Sequence, residues 1–215
     1  HTIVSGGDWV DFVDFSTAGV LCLGLFSSTC GVVAQGNQVP AGLTTTIDYI
    51  TIATYGHSLD YGDLTDARYG GCSGSNATRG CFSGGWSPNV VNVIDYITIA
   101  TLGNAIDFGD LVAVKSNHFC ASSRTTVAWA GGYDGPNRTN SISTQVFSSL
   151  GNSVDTADLS AATTSATGVS NQTRACFIGG NDGSVRNTIE YYTFAAEANT
   201  SDFGDTTANL SLIHI

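Results

Sequence analysis

The octapeptide IDYITIAT stands at residues 47–54 and again, letter for letter, at 94–101. Eight identical residues at a fixed interval are not chance, and a chain that repeats itself must stack or ring equal units, each burying the face its neighbour exposes. Weaker copies, ISTQVFSS at 142–149 and IEYYTFAA at 189–196, keep a period of about 47 residues, and VDFVDFST at 10–17 reads as a fifth copy. A second landmark is an apolar run stopped by glycine: IVSGG at 3–7, VVAQG at 32–36, CFSGG at 81–85, AWAGG at 128–132 and CFIGG at 176–180. A third is acidic, DYGDL at 60–64, DFGDL at 107–111, DTADL at 155–159 and DFGDT at 202–206, with no counterpart evident in the first copy. The fourth is a run of small residues, as in ARYGGCSGS from Ala67, leading into SNATRG at 75–80 and matched by SNQTRA at 170–175.

Each unit therefore holds four short β-prone runs separated by Gly, Asn, Asp and Ser, and no helical period is long enough to compete. In IDYITIA, alternation puts Ile47, Tyr49 and Thr51 on one face and Asp48, Ile50 and Ile52 on the other, so both faces carry apolar groups. A strand buried on both sides belongs to a sheet packed between two others, as in a propeller blade. The units resemble kelch repeats, whose second strand ends in a double glycine, here Gly84-Gly85, Gly131-Gly132 and Gly179-Gly180, and whose next strand corresponds to the one carrying Tyr49, Tyr96 and Tyr191. The family's tryptophan is replaced by Ile52, Ile99, Phe147 and Phe194. The expectation is an all-β fold in one domain over 1–215, a five-bladed kelch-like β-propeller of four-stranded antiparallel blades. Its units are 1–19, 20–66, 67–113, 114–161 and 162–206. Residues 207–215 pair with the N-terminal strand to close the first blade, which lacks its outer strand.

Charge narrows the partners. Lys115 is the sole lysine, and seven cations face eighteen carboxylates, for a formal net charge of -11. Nucleic acid is not an expected partner, because binding it rests on clustered Lys and Arg. Membrane insertion is not expected either, since no run nears the roughly 20 apolar residues that a spanning helix needs. The six cysteines form no CxxC pair and stand near no histidine at ligand spacing, so neither a metal nor a cofactor is expected. Two readings of them stay open: small buried hydrophobes, or disulfides, with Cys72 and Cys81 flanking a tight turn as the first candidate pair.

The recurrent acid pairs, such as Asp60/Asp63 and Asp107/Asp110, suit turns better than calcium, which needs six to eight converging oxygens. A catalytic pair would stand out in one unit, and these recur in four. Function is expected where the units differ, in the loops after the glycine stops, which offer Trp9, Trp86, Tyr133, Asp134, Asn137, Arg138, Asp182 and Arg186. Aromatic platforms beside polar groups suit sugars, although Trp86 and Tyr133 could equally pack between blades.

The IDYITIAT…DFGDL units, rich in Ser, Thr and Asn, also resemble repeat segments of phage tail-fibre and virion-surface proteins. That resemblance implies a non-enzymatic structural or adhesion module on a virion surface, outside the cell. It would contact host-surface glycans or other virion proteins, with oligomerisation through the larger assembly. The alternative is a secreted carbohydrate-binding propeller, and a hydrolase or oxidase is the third reading.

Overall fold

The computed structural model describes residues 14–16, 18–38, 40–54 and 56–211. Among them there is no helix, and the strands form four consecutive four-stranded antiparallel sheets. The first sheet runs Leu23–Phe26, Cys30–Ala34, Thr46–Thr51 and Leu59–Asp63, each strand pairing with the next. The second runs Cys72–Ser75, Arg79–Ser83, Val93–Thr98 and Ile106–Asp110. The third runs Phe119–Ser122, Thr126–Ala130, Ser141–Val146 and Val154–Asp158, and the fourth Thr167–Ser170, Arg174–Ile178, Arg186–Thr193 and Ser201–Leu210. The four sequence landmarks thus become, in order, the third, second, fourth and first strands of a sheet.

The cores lie between consecutive sheets. Leu25, Val32 and Ile47 of the first sheet pack with Phe82 and Ile97 of the second. Cys81, Ile94 and Phe108 of the second pack with Val127 and Trp129 of the third, and Phe119, Ala128 and Ile142 of the third pack with Ala175, Phe177 and Tyr192 of the fourth. Apolar groups on both faces of the third strands of the second and third sheets thereby find a sheet on either side, which is a propeller-like arrangement.

The first strands lie side by side and are tied by two sets of rungs. Ser75 Oγ donates to Phe26 O (2.9 Å), Ser122 Oγ to Ser75 O (2.9 Å) and Ser170 Oγ to Ser122 O (2.7 Å). Two residues earlier, Ser73 Oγ donates to Gly24 O (2.6 Å) and Cys120 Sγ to Ser73 O (3.0 Å). The next position in that set is Gly168, where a Cβ would lie 1.9 Å from Cys120 O. Small residues fill these runs because the strands approach too closely for larger ones. Gly168→Ala is therefore expected to destabilise the chain by about 1–3 kcal/mol through overpacking, read as a lower urea midpoint with an unchanged slope.

The acidic landmark is structural as well. The backbone N–H groups of Gly103 and Ala105 donate to Tyr61 O (2.9 Å) and Asp63 O (2.7 Å), and those of Gly151 and Ser153 to Phe108 O (2.9 Å) and Asp110 O (2.8 Å). The turn of one sheet thus seats on the outer strand of the sheet before it. The glycine between the acids makes room: a Cβ on Gly62 would come within 2.5 Å of the Gly103 backbone.

Two expectations at the chain ends are corrected. Asp14 O accepts from Ser58 N (2.9 Å) as Asp63 O does from Ala105 N, and Ser16 bonds Asp48 as Thr65 bonds Asp95. Residues 14–16 thus follow the register of an outer strand, which aligns VDFVDFST with LDYGDLTD at 59–66 rather than with IDYITIAT. The first unit carries the outer-strand landmark it was expected to lack. At the other end, Leu210 pairs with Arg186 in the fourth sheet, so 207–210 extend that sheet instead of closing the first unit. Residues 1–13 and 212–215, including Trp9 and IVSGG, lie outside the described residues.

Candidate binding face

The double glycines set the position of the candidate loops. Gly84 and Gly85 have φ of 56° and 106°, and Gly131 and Gly132 have 61° and 93°, a left-handed backbone that L side chains resist. This turn aims the second glycine's N–H at the segment entering the next sheet, Gly85 to Lys115 O (2.7 Å) and Gly132 to Thr163 O (2.9 Å), and in the fourth sheet Gly180 N–H donates to Leu210 O (2.8 Å). Beyond it the chain folds into a small hairpin, pairing Trp86 with Val90, Tyr133 with Arg138 and Asn181 with Val185. Each hairpin also pairs back to the segment entering its own sheet, at Tyr69, Ser116 and Thr164. The first sheet carries the same cap from Gly19–Val20, Asn37–Gln38 and Gly42–Leu43.

The loops predicted to recognise a ligand therefore stand at the same end of their respective sheets. Asp134, Asn137 and Asp182 are exposed, while Trp86, Tyr133, Arg138 and Arg186 are half-buried. Arg138 lies 5.5 Å from the Tyr133 ring centroid and donates through Nη2 to Asn181 Oδ1 (3.1 Å), which joins the third loop to the fourth. Its Nε is buried with no partner among the described residues. Arg186 is held differently: it donates to Thr163 Oγ1 (3.0 Å), Thr188 Oγ1 (3.3 Å) and Ser160 Oγ (3.4 Å), with Asp182 at 3.6 Å. With its guanidinium so occupied, Arg186 braces its own loop and is poorly placed to serve a ligand.

Beneath this face sits a set of buried polar groups. Lys115 Nζ donates to Gly131 O (3.1 Å), Ser141 O (3.1 Å) and Ser141 Oγ (2.9 Å), and burial pushes its pKa down to about 8 against the pull of Asp155 and Asp134. His118 Nε2 is 2.8 Å from Ser83 Oγ, and its Nδ1 has no partner among the described residues. The pair has the nucleophile and base of a triad but not the third group that would orient the ring. Burial first, and then the Lys115 charge, push the imidazole down to about 3.

Sequence reasoning passed over two features. The acid of the third strand is a buried acceptor for a residue that precedes its own sheet in the chain. Asp48 accepts from Ser16 Oγ (2.5 Å) and Gln35 Nε2 (2.8 Å), Asp95 from Thr65 Oγ1 (2.6 Å), and Glu190 from Ser160 N (2.9 Å) and Thr200 Oγ1. Its recurrence at a buried strand position was the available signal. The second is a channel of about 790 Å³ lined by the first strands and by the turns that follow them, including Ser28, Asn76, Arg124 and Gln172. Its turn rim lies at the opposite end of the sheets from the capping loops. Asn76 Nδ2 donates to Arg124 O (2.9 Å) and Arg124 N to Gln172 Oε1 (3.0 Å), so SNATRG and SNQTRA are joined along this rim through the Arg124 turn between them.

The candidate cysteine pair, Cys72 and Cys81, lies on the first and second strands of the second sheet. Register sets Cys72 opposite Ser83 and Cys81 opposite Gly74, which makes the two cysteines diagonal neighbours, and all six cysteines are free. No group of three or more His, Cys, Asp or Glu among the described residues is placed to hold a metal ion. Compared with known proteins, the chain matches no family model and no curated protein.

Proposed function

We propose that this chain is a non-enzymatic recognition module built on a closed five-bladed kelch-like propeller. The four complete sheets are four blades, and the two chain ends contribute to the fifth. Supporting this, Asp14 sits where an outer strand ends, and Ser211 follows the residue that accepts from Gly180 N, the position from which first strands begin. The observation that carries the binding reading is the contrast between frame and loops. The hydrogen bonds of the double-glycine turn recur from sheet to sheet, while the hairpins after it differ in length and chemistry and offer Asp134, Asn137 and Asp182 to solvent. Loops on a rigid scaffold are where recognition resides.

Resemblance to tail-fibre repeats supports the reading of a module on a virion surface that contacts host glycans or neighbouring virion proteins. Many copies on one particle would multiply weak contacts into firm attachment. The test immobilises the chain multivalently on beads and measures retention on a glycan array and on host cells. The exposed variant Asp134→Ala/Asn137→Ala should keep its melting temperature and lose retention by roughly tenfold or more, equivalent to about 1.4 kcal/mol. Equal retention by variant and parent would overturn the loop assignment, and absence of retention by the parent would overturn the adhesion reading.

A further inference from the structure

Cys72 and Cys120 stand on first strands of consecutive sheets, and their sulfurs are 2.9 Å apart. This is closer than two sulfurs sit in ordinary contact and about 0.9 Å longer than a disulfide bond. Cys72 is half-buried, and Cys120 lines the channel that the first strands enclose. Cys81 belongs to the same cluster, but it lies on the second strand and is fully buried.

We infer that Cys72 and Cys120 are a built cross-linking site that joins the second sheet to the third beside the channel. The oxidant is a small disulfide of the glutathione class. Cys72, the more accessible thiol, attacks it as thiolate, forming a mixed disulfide and releasing one small thiol. Cys120 then attacks the Cys72 sulfur and releases the second. Two protein thiols lose two protons and two electrons, the reagent's S–S bond takes up both to give two small thiols, and one protein S–S bond forms. The hydrogen bond with the Cys72 thiol, and then burial, raise the Cys120 pKa well above its ordinary value, so the second step should quicken with rising pH. Cys81 is pushed up to about 12, chiefly by burial, which leaves it a poor competitor.

The bond would close a loop across a sequence separation of 48 residues. Constraint on that scale raises the melting midpoint by about 10 °C. The test treats the reduced full chain with oxidised glutathione at mildly alkaline pH and follows intact mass, melting and a non-reducing tryptic digest. Trypsin puts Cys72 in peptide 69–79, Cys81 in 80–115 and Cys120 in 116–124, so the partners are read directly. Expected are a loss of two hydrogens, a 69–79/116–124 link and a higher midpoint. Cys81→Ala should keep all three, and Cys72→Ala, folded by its melting curve in reductant, should lose them. A 69–79/80–115 link, or glutathione trapped on Cys72 with no second step, would overturn the site.

Discussion

Replacing Arg68 with methionine is expected to cost about 3–5 kcal/mol, because it strands a carboxylate in the interior. Arg68 and Asp95 are fully buried and bridge at 2.8 Å. Arg68 Nη2 also donates to Phe82 O (3.3 Å), and Asp95 accepts from Thr65 N (3.2 Å) and Thr65 Oγ1 (2.6 Å). With the guanidinium gone, Thr65 alone faces a charge that the medium cannot solvate. The melting temperature should fall by roughly 10 °C or more at about 2–4 °C per kcal/mol for a chain of this size. The pair itself is a weaker asset than that loss suggests, since burying both ions costs nearly what their attraction returns, and Arg68 Nε has no partner among the described residues. The double variant Arg68→Met/Asp95→Asn removes both charges and leaves Thr65 a neutral acceptor, so it should be clearly more stable than Arg68→Met. A single-variant cost under about 1 kcal/mol, or a double variant no better than the single, would show that the carboxylate is not stranded.

The first sheet shows why that ion pair was invisible in the sequence. Asp48 occupies the position of Asp95, yet its nearby donor is Gln35, not an arginine. The acid follows the repeat while its partner is improvised, and a partner that does not recur leaves no trace at a fixed interval. What was legible is what periodicity controls, the four strands of each complete unit and their order; burial on both faces holds in the second sheet, at Ile94 and Ile97, whereas Ile52 of the first sheet is exposed. The same logic explains the error at the N-terminus. VDF matches the apolar-acid-aromatic pattern of both IDY and LDY, and only hydrogen bonds at Asp14 and Ser16 decide between them. The candidate face was half legible. Loop positions followed from the double glycines, but that Arg138 reaches the next loop while Arg186 braces its own depends on side-chain direction. The channel went unseen because its first strands belong to four separate sheets, and the seriate small residues read only as turn-prone sequence.

His118 should make the folded chain lose stability on mild acidification before the carboxylates contribute much. Ser83 Oγ lies 3.3 Å from Cys72 O as well as 2.8 Å from His118 Nε2. If the hydroxyl donates to the carbonyl, Nε2–H donates to the hydroxyl, and Nδ1 is left as a bare lone pair among apolar groups, with the Trp129 ring centroid 6.2 Å away. A proton on Nδ1 would meet no acceptor, and the Lys115 charge opposes it further. The native pKa is about 3, against 6.5 for the free ring. Below pH 6.5 the unfolded chain therefore takes up a proton that the native chain refuses. Stability present above pH 6.5 is lost progressively as pH falls toward 3, at about 1.4 kcal/mol per pH unit. Between pH 7 and pH 4.5 the loss should reach about 2.5 kcal/mol. Ala166 holds the equivalent position in the fourth sheet, so His118→Ala is compatible with the backbone there. That variant should be less stable at pH 7, from its cavity and lost bond, and should show a flatter dependence over the same interval. Parallel urea midpoints for parent and variant from pH 7 to 4.5, or an imidazole resonance titrating near 6.5 in the native chain, would show that the ring takes its proton without unfolding.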